Sequence, residues 1–236
     1  MELDQSADEG KYALDAIGDC ELFTRWLFSQ FEEYIDYDKV WEIGSGTGNI
    51  SRYLLKSNEL CLSDYEGQHL NILEERFQQE SVKVAYVNLE DLKVDNFAPQ
   101  QFNTILCINV LEHIKEDELA LQRIAQTMSQ ESKFILLVPA IPFLYGTIDE
   151  SVGHHRRYSK KDLVSKLEKA GLDIIDLKYF NRLSALAWFI KGRIIKQDGI
   201  KRKDMEMVDK ILPILKAFEW PLPFGQSLIA VCRRAK

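Results

Sequence analysis

The stretch Val40-Trp41-Glu42-Ile43-Gly44-Ser45-Gly46-Thr47-Gly48-Asn49 decides the fold. Lys39 to Ile43 is a short apolar run that reads as a strand, and it opens directly into glycines at every second position. Such a turn bends sharply and brings its backbone close to a ligand. Ile50 to Lys56 reads as a helix that continues from it, with free N–H groups at its start. A dinucleotide fingerprint needs glycine at the sixth motif position, for packing and for the pyrophosphate. Counted from Gly44 that place holds Asn49, and counted from Gly46 it holds Ser51. The pattern is instead G-x-G-x-G behind an acid, Glu42. An acid there suits a ligand that carries an ammonium group and opposes a diphosphate. Asp64 follows at the end of the next apolar run, where a carboxylate can accept from both hydroxyls of a ribose.

Outward from this loop, strands and helices alternate. Strands are expected at Glu59 to Ser63, Val82 to Val87, Phe102 to Ile108 and Phe134 to Val138, then at Leu172 to Tyr179 and Ser227 to Cys232. Helices are expected at Cys20 to Ile35, His69 to Gln79, Glu116 to Ser129 and Lys160 to Ala170, the last stopped by Gly171. Ser159 reads as the N-cap of that helix, with Asp162 in its first turn. This order implies an α/β fold: a Rossmann-like, mostly parallel sheet with helices on both faces. The two final strands, after the last crossover helix, point to an antiparallel edge strand. The chain divides as one domain, with an N-terminal helical cap (1–38), a Rossmann-like core (39–180), a helical insertion (181–226) and the last strand (227–236).

The insertion is longer than an ordinary connection. Leu183, Leu186, Ala187, Phe189, Ile190, Ile194 and Ile195 give it an apolar stripe, with Trp188 as an aromatic anchor and Arg182, Lys191, Arg193 and Lys196 around it. Packing on the domain and a homodimer interface are the preferred readings. A cap over a hydrophobic substrate and peripheral membrane contact are the alternatives. A second helical stretch, Met205 to Glu219, is expected to break near Pro213 and to end before Trp220-Pro221-Leu222-Pro223.

Composition narrows the function classes. The 236 residues are 46% apolar and 28% charged, ordinary for a folded domain. The formal net charge of -7 opposes nucleic acid as a partner, because phosphates demand a basic surface. Cys20, Cys61, Cys107 and Cys232 are scattered without metal-ligand spacing, so no metal is assigned, and Cys61, Cys107 and Cys232 read as buried reduced thiols. Reduced thiols fit a cytoplasmic location. The acidic start, Met1 to Gly10, does not read as a secretory signal, and no apolar run reaches the length of a transmembrane segment.

Glu42 to Gly48 resembles the first motif of class I S-adenosylmethionine-dependent methyltransferases, and Asp64 resembles their ribose-binding acid. The run Phe102 to Ile114 is similar to their fourth-strand motif, and Val138-Pro139-Ala140 to their fifth-strand exit. The resemblance implies S-adenosyl-L-methionine as cofactor, S-adenosyl-L-homocysteine as product and a small-molecule methyl acceptor. It implies that Glu42 contacts the methionine amino group indirectly, that Gly44, Gly46 and Gly48 form the floor, and that Asn109 lies beside the methionine portion. Asn88 and Leu89, in the turn after the third strand, would flank the adenine; many members have Asp where this chain has Asn88.

Between the fifth strand and the next helix runs Gly153-His154-His155-Arg156-Arg157-Tyr158-Ser159, preceded by Tyr145, Gly146 and Asp149. A subset of class I methyltransferases carries a similar signature, and the ubiquinone-pathway O-methyltransferases a looser one. The loop belongs on the rim outside the carboxyl ends of the strands, where ligands bind in open parallel sheets. His154 or His155 is the candidate base that would take the acceptor's proton. Tyr145, Arg156 and Arg157 are candidate substrate contacts; the alternative for the arginines is to anchor the loop to Asp149 or Glu150. Glu112 and His113 read as the start of the following helix, the carboxylate complementing its dipole. The function expected is methyl transfer to a small or medium-sized organic acceptor, at oxygen before nitrogen. A non-catalytic cofactor-binding subunit and a nicotinamide-dependent oxidoreductase are the alternatives.

Overall fold

The computed structural model describes residues 20–91, 102–197, 202–217 and 223–236. The acidic start of the chain and Trp220-Pro221-Leu222 lie outside the described residues. The strands are β1 (Lys39–Ile43), β2 (Glu59–Asp64), β3 (Val82–Tyr86), β4 (Thr104–Ile108), β5 (Lys133–Pro139), β6 (Leu172–Phe180) and β7 (Ser227–Arg234). They form one sheet in the order β3-β2-β1-β4-β5-β7-β6. The first five run parallel, and β7 enters antiparallel between β5 and β6. Strands therefore stand where the apolar runs place them.

Alternate residues of each strand feed two cores, because successive side chains point to opposite faces. On one face Trp41, Ile105, Cys107, Phe134 and Leu136 pack with Leu121, Ile124, Leu163 and Leu167. Those last four belong to α3 (Asp117–Thr127) and α5 (Lys160–Lys169). On the other face Val40, Leu62, Leu106, Ile135 and Ile229 pack with Trp26 and Phe28 of α1 (Glu21–Phe28) and Leu73 of α2 (Gly67–Arg76). The result is three layers, with the central strands covered on both sides. All four cysteines are buried, and Cys61, Cys107 and Cys232 lie in the first of these cores.

Four local expectations are corrected. The helix expected at Cys20 to Ile35 ends at Phe28 and is followed by a separate 3-10 turn, Glu32–Tyr34. The helix expected at Ile50 to Lys56 is a single 3-10 turn, Ser51–Tyr53, flanked by turns. Bonds such as Leu54 N–H to the Ser51 carbonyl close every third residue there, and the Ser51 hydroxyl is drawn inward onto Glu42. Glu112 and His113 do not open a helix; they sit in a separate 3-10 turn, Leu111–His113, before α3 begins at Asp117. The insertion's second helix, α7 (Arg202–Ala217), runs through Pro213 without breaking. Tertiary packing overrides the proline: Leu212 is buried in the core beside α1, and the Asp209 carboxylate accepts from the Phe23 N–H at 3.0 Å.

Candidate functional site

The loop after β1 meets the exit of β4, at the point where the chain order of the parallel strands reverses. Gly44 has φ +68°, and a Cβ there would strike the Val110 side chain. Gly48 has φ +83°, and its missing side chain makes room for the Phe77 ring, 2.7 Å from where a Cβ would stand. Gly48 thus permits close packing against Phe77 and against Leu73 of α2. Gly46 donates its N–H to Asp64 Oδ2 at 2.8 Å. Arg76 of α2 clamps the loop through the Thr47 carbonyl at 2.6 Å.

Glu42 lies beneath this turn, 3% exposed, with Ser51 Oγ donating to Oε2 at 2.5 Å. Burial lifts its carboxyl to about 7, although the hydroxyls of Ser51 and Ser45 pull the other way. Asp64 is also buried, but it accepts from Gly46 N–H, from Glu66 N–H at 3.0 Å, and faces His69 Nδ1 at 3.2 Å. Burial pushes the Asp64 carboxyl up, yet His69 and those amides outweigh it and hold it below the ordinary value. A carboxylate offers about four acceptor positions, and three are taken. Among the described residues that leaves one acceptor position open on Asp64. Asn88 Oδ1 accepts from Glu90 N–H at 2.9 Å, Leu89 is buried, and Arg123 of α3 holds the Leu89 carbonyl at 2.9 Å. Asn109 leaves β4 with φ +53° and donates its N–H to the Leu137 carbonyl at 2.9 Å.

The histidine loop is organised by one carboxylate. Asp149, in the short helix α4 (Thr147–Ser151), is fully buried and receives four donors. Oδ1 takes His154 Nδ1 at 2.9 Å and Arg157 Nε at 2.7 Å; Oδ2 takes Gly146 N–H at 3.1 Å and the Trp188 indole N–H at 3.1 Å. Burial raises the Asp149 carboxyl, but His154 and Arg157 bring it below the ordinary value.

Tyr145, Arg156 and Arg157, expected as substrate contacts, each make bonds that anchor the loop. Tyr145 Oη donates to the His154 carbonyl at 2.8 Å. Arg156 pairs with Asp117 at 2.8 Å and reaches the Lys115 carbonyl. Arg157 also holds the Ala140 carbonyl and lies 4.8 Å over the Trp188 ring. The physical reason is desolvation: a guanidinium carried into this interior must be met there. The Ser159 side chain caps α5 through Asp162 N–H, as expected.

His154 and His155 part company. His155 is exposed, and among the described residues it is held through its backbone N–H on the Glu112 carbonyl at 2.8 Å. His154 is turned inward, with Nε2 3.7 Å from Glu112 Oε1 and its ring edge-to-face with His113 at 4.8 Å. Glu112 is 0% exposed, and burial lifts its carboxyl to about 7 while the charge of His154 pulls it down. Burial, then the charge of His154, hold the His113 imidazole down to about 4.

The insertion leans on this loop. Trp188 belongs to α6 (Arg182–Phe189), which continues as one π-helical turn, Ile190–Ile194. Phe189 stacks on Phe143 at 5.6 Å, Thr147 Oγ1 donates to the Gly192 carbonyl at 3.2 Å, and Arg193 to that of Tyr145 at 3.1 Å. Leu186, Ile194 and Ile195 remain exposed on its outer side. Among the described residues no helix is long and apolar enough to cross a membrane.

Sequence reasoning missed His69, Asp117, Trp188 as a hydrogen-bond donor, and the inward course of Glu112. Only Glu112 leaves a local signal, as an acid embedded in the apolar run Val110-Leu111-Glu112-His113-Ile114.

Residues 41–134 match the family described as "Methyltransferase domain". No curated protein matches the chain. Among solved structures, an S-adenosylmethionine-dependent methyltransferase of Clostridium acetobutylicum superposes with TM-score 0.60 at 12% identity, over 90% of this chain and 91% of its own. One from Mesorhizobium loti gives 0.61 at 12% identity, over 88% and 97%. A protein solved in complex with the Haloferax volcanii Trm112 methyltransferase activator gives 0.66 at 14% identity, over 97% and 98%. Residues 41–134 thus match a methyltransferase domain, and the chain, built around one glycine turn and its flanking acids, shares the fold of the S-adenosylmethionine-dependent methyltransferases on which it superposes.

Proposed function

We propose that the methyl group goes to an oxygen atom of a small or medium-sized organic acceptor, with His154 as the proton acceptor. The observation that carries this reading is the Asp149–His154 pair. Nδ1 is held at 2.9 Å by a buried carboxylate, which fixes the ring and supports an imidazolium, while Nε2 stands beyond the exits of β4 and β5. Among the described residues His155, exposed and held by its backbone, has no such orienting partner.

Glu42, Gly44, Gly46, Asp64, Asn88, Leu89 and Asn109 form the cofactor side in this reading, with Gly48 supporting the turn from behind. The residues fit the group: a buried carboxyl lies under the turn for an ammonium, and Asp64 keeps one acceptor position for the ribose. When bound, S-adenosylmethionine supplies a methyl already activated by its sulfonium. The chain's own tasks are to align the acceptor, exclude water and take one proton. Val110 touches the Gly44 turn and lies two residues before Glu112, so the cofactor turn and the histidine loop are neighbours. The insertion serves as the cap over the acceptor side, supported by its contacts with Asp149, Phe143 and Thr147. The net charge of -7 supports a small acceptor in place of a nucleic acid.

The test is transfer of a labelled methyl group to matched panels of hydroxylated and amino acceptors, with the product position read by NMR. An O-methyl product is expected, and His154→Ala should lower kcat by about 100-fold or more with the cofactor Kd unchanged. An N-methyl product, or full turnover in His154→Ala, refutes the reading.

A further inference from the structure

Glu112, His113 and His154 gather so that one ligand atom from each lies within 4.8 Å of the other two. Among the described residues, no group of another residue hydrogen-bonds either carboxylate oxygen of Glu112, although the side chain is fully buried. Its nearest ion-pair contact is His154 Nε2 at 3.7 Å, beyond hydrogen-bond reach. A carboxylate taken out of water without partners is costly, so this spot calls for a cation. Arg157, a permanent cation close by, is already engaged by Asp149 and the Ala140 carbonyl.

Both imidazoles are braced from behind. Asp149 holds His154 Nδ1 at 2.9 Å, and His113 shares a hydrogen bond with the backbone of Gly153. Metal-bound histidines receive this support, because it fixes the tautomer and aims the other nitrogen. Asp149 is itself pinned by Gly146, Arg157 and Trp188, so the brace is rigid. The spacing also suits an ion. Two ligands each about 2.1 Å from a tetrahedral centre stand about 3.4 Å apart, close to the 3.7 Å between Glu112 Oε1 and His154 Nε2.

We propose that Glu112, His113 and His154 form a binding site for a first-row divalent transition-metal ion, with one oxygen and two nitrogen ligands. Two histidines and a carboxylate favour Zn2+, Fe2+, Co2+ or Mn2+ over Mg2+ or Ca2+, which prefer oxygen shells. Three protein ligands leave coordination positions open. The sequence assigned no metal here, because its ligands come from two strand exits with no repeated spacing. The site rests on its own geometry. In the proposed oxygen transfer it would bind the acceptor's hydroxyl and make it more acidic, with His154 acting through the ion in place of acting as the base.

The experiment is titration of the untagged, chelator-treated chain with Co2+, read by visible absorption and by calorimetry. One equivalent per chain is expected. Glu112→Gln and His154→Ala should weaken binding by about 100-fold or more, while His155→Ala keeps the single site. Glu112→Gln preserves shape and removes a buried charge, so it keeps the fold, and circular dichroism verifies this for each variant. No Co2+ bound at millimolar concentration, or equal binding by Glu112→Gln and wild type, overturns the site. Undiminished O-methylation in chelator with no Co2+ bound sinks the metal and leaves the oxygen reading intact. A bound ion with an N-methyl product does the reverse.

Discussion

Replacing Asp149 by Asn tests the organisation of the acceptor side. The change removes one charge from a carboxylate that meets two cationic or polarised partners on Oδ1 and two neutral N–H groups on Oδ2. Asparagine can keep an oxygen toward one pair, but its NH2 then faces the donors of the other. Arg157 and Asp149 are both almost fully buried at the pair, with side-chain exposures of 1% and 0%. Breaking a buried pair of this kind costs about 3–5 kcal/mol, since the surviving charge stays in the interior without its partner. For a chain of this size, each kcal/mol is worth about 2–4 °C in melting temperature. Asp149→Asn should therefore melt roughly 6–20 °C below wild type, measured by calorimetry and checked by urea denaturation. Adding Arg157→Met should cost much less than the two separate losses combined, because both variants act on one interaction. A stability loss below about 1 kcal/mol, or full additivity, would show that Asp149 is not the centre of the loop.

Three further outcomes are expected. Glu42 has a folded-state pKa near 7 against an ordinary 4.5. Without ligand its contribution to stability is thus fully present below pH 4.5 and lost as pH rises through 7. An ammonium ligand selects the ionised carboxylate, so S-adenosylmethionine affinity should climb between pH 5.5 and 7 by up to about tenfold per unit; calorimetry should find that slope flattened in Glu42→Gln. Asp64→Ala should weaken cofactor binding by about 1–3 kcal/mol through one lost charged hydrogen bond and a loosened turn; unchanged affinity in the same titration removes Asp64 from the ribose. Gly44→Ala, which combines φ +68° with the Val110 contact, should reduce both melting temperature and cofactor affinity, and a neutral result in both assays would contradict the close approach of the two loops.

The sheet was legible because parallel strands covered on both faces are written as continuous apolar runs such as Thr104–Ile108 and Lys133–Pro139. The glycine turn and its acids were legible because one local stretch carries them. What escaped depends on distance along the chain. Asp149 gains Trp188 as a partner across 39 positions, and Asp117 gains Lys166 across 49. No local pattern encodes either. Glu112 was assigned to a helix start because helix dipoles favour acids there, yet the turn at Leu111–His113 draws it inward. The Pro213 break failed for a related reason, with the packing of Leu212 deciding the matter over local propensity.

Trp188 and His154 grip opposite oxygens of the same Asp149 carboxylate. This couples the helix that carries Trp188 to the imidazole. Under the proposed cap reading, a swing of that helix wide enough to admit an acceptor would release the indole, and with it part of the tether that keeps the ring in register, so that loading and readiness would rise and fall together.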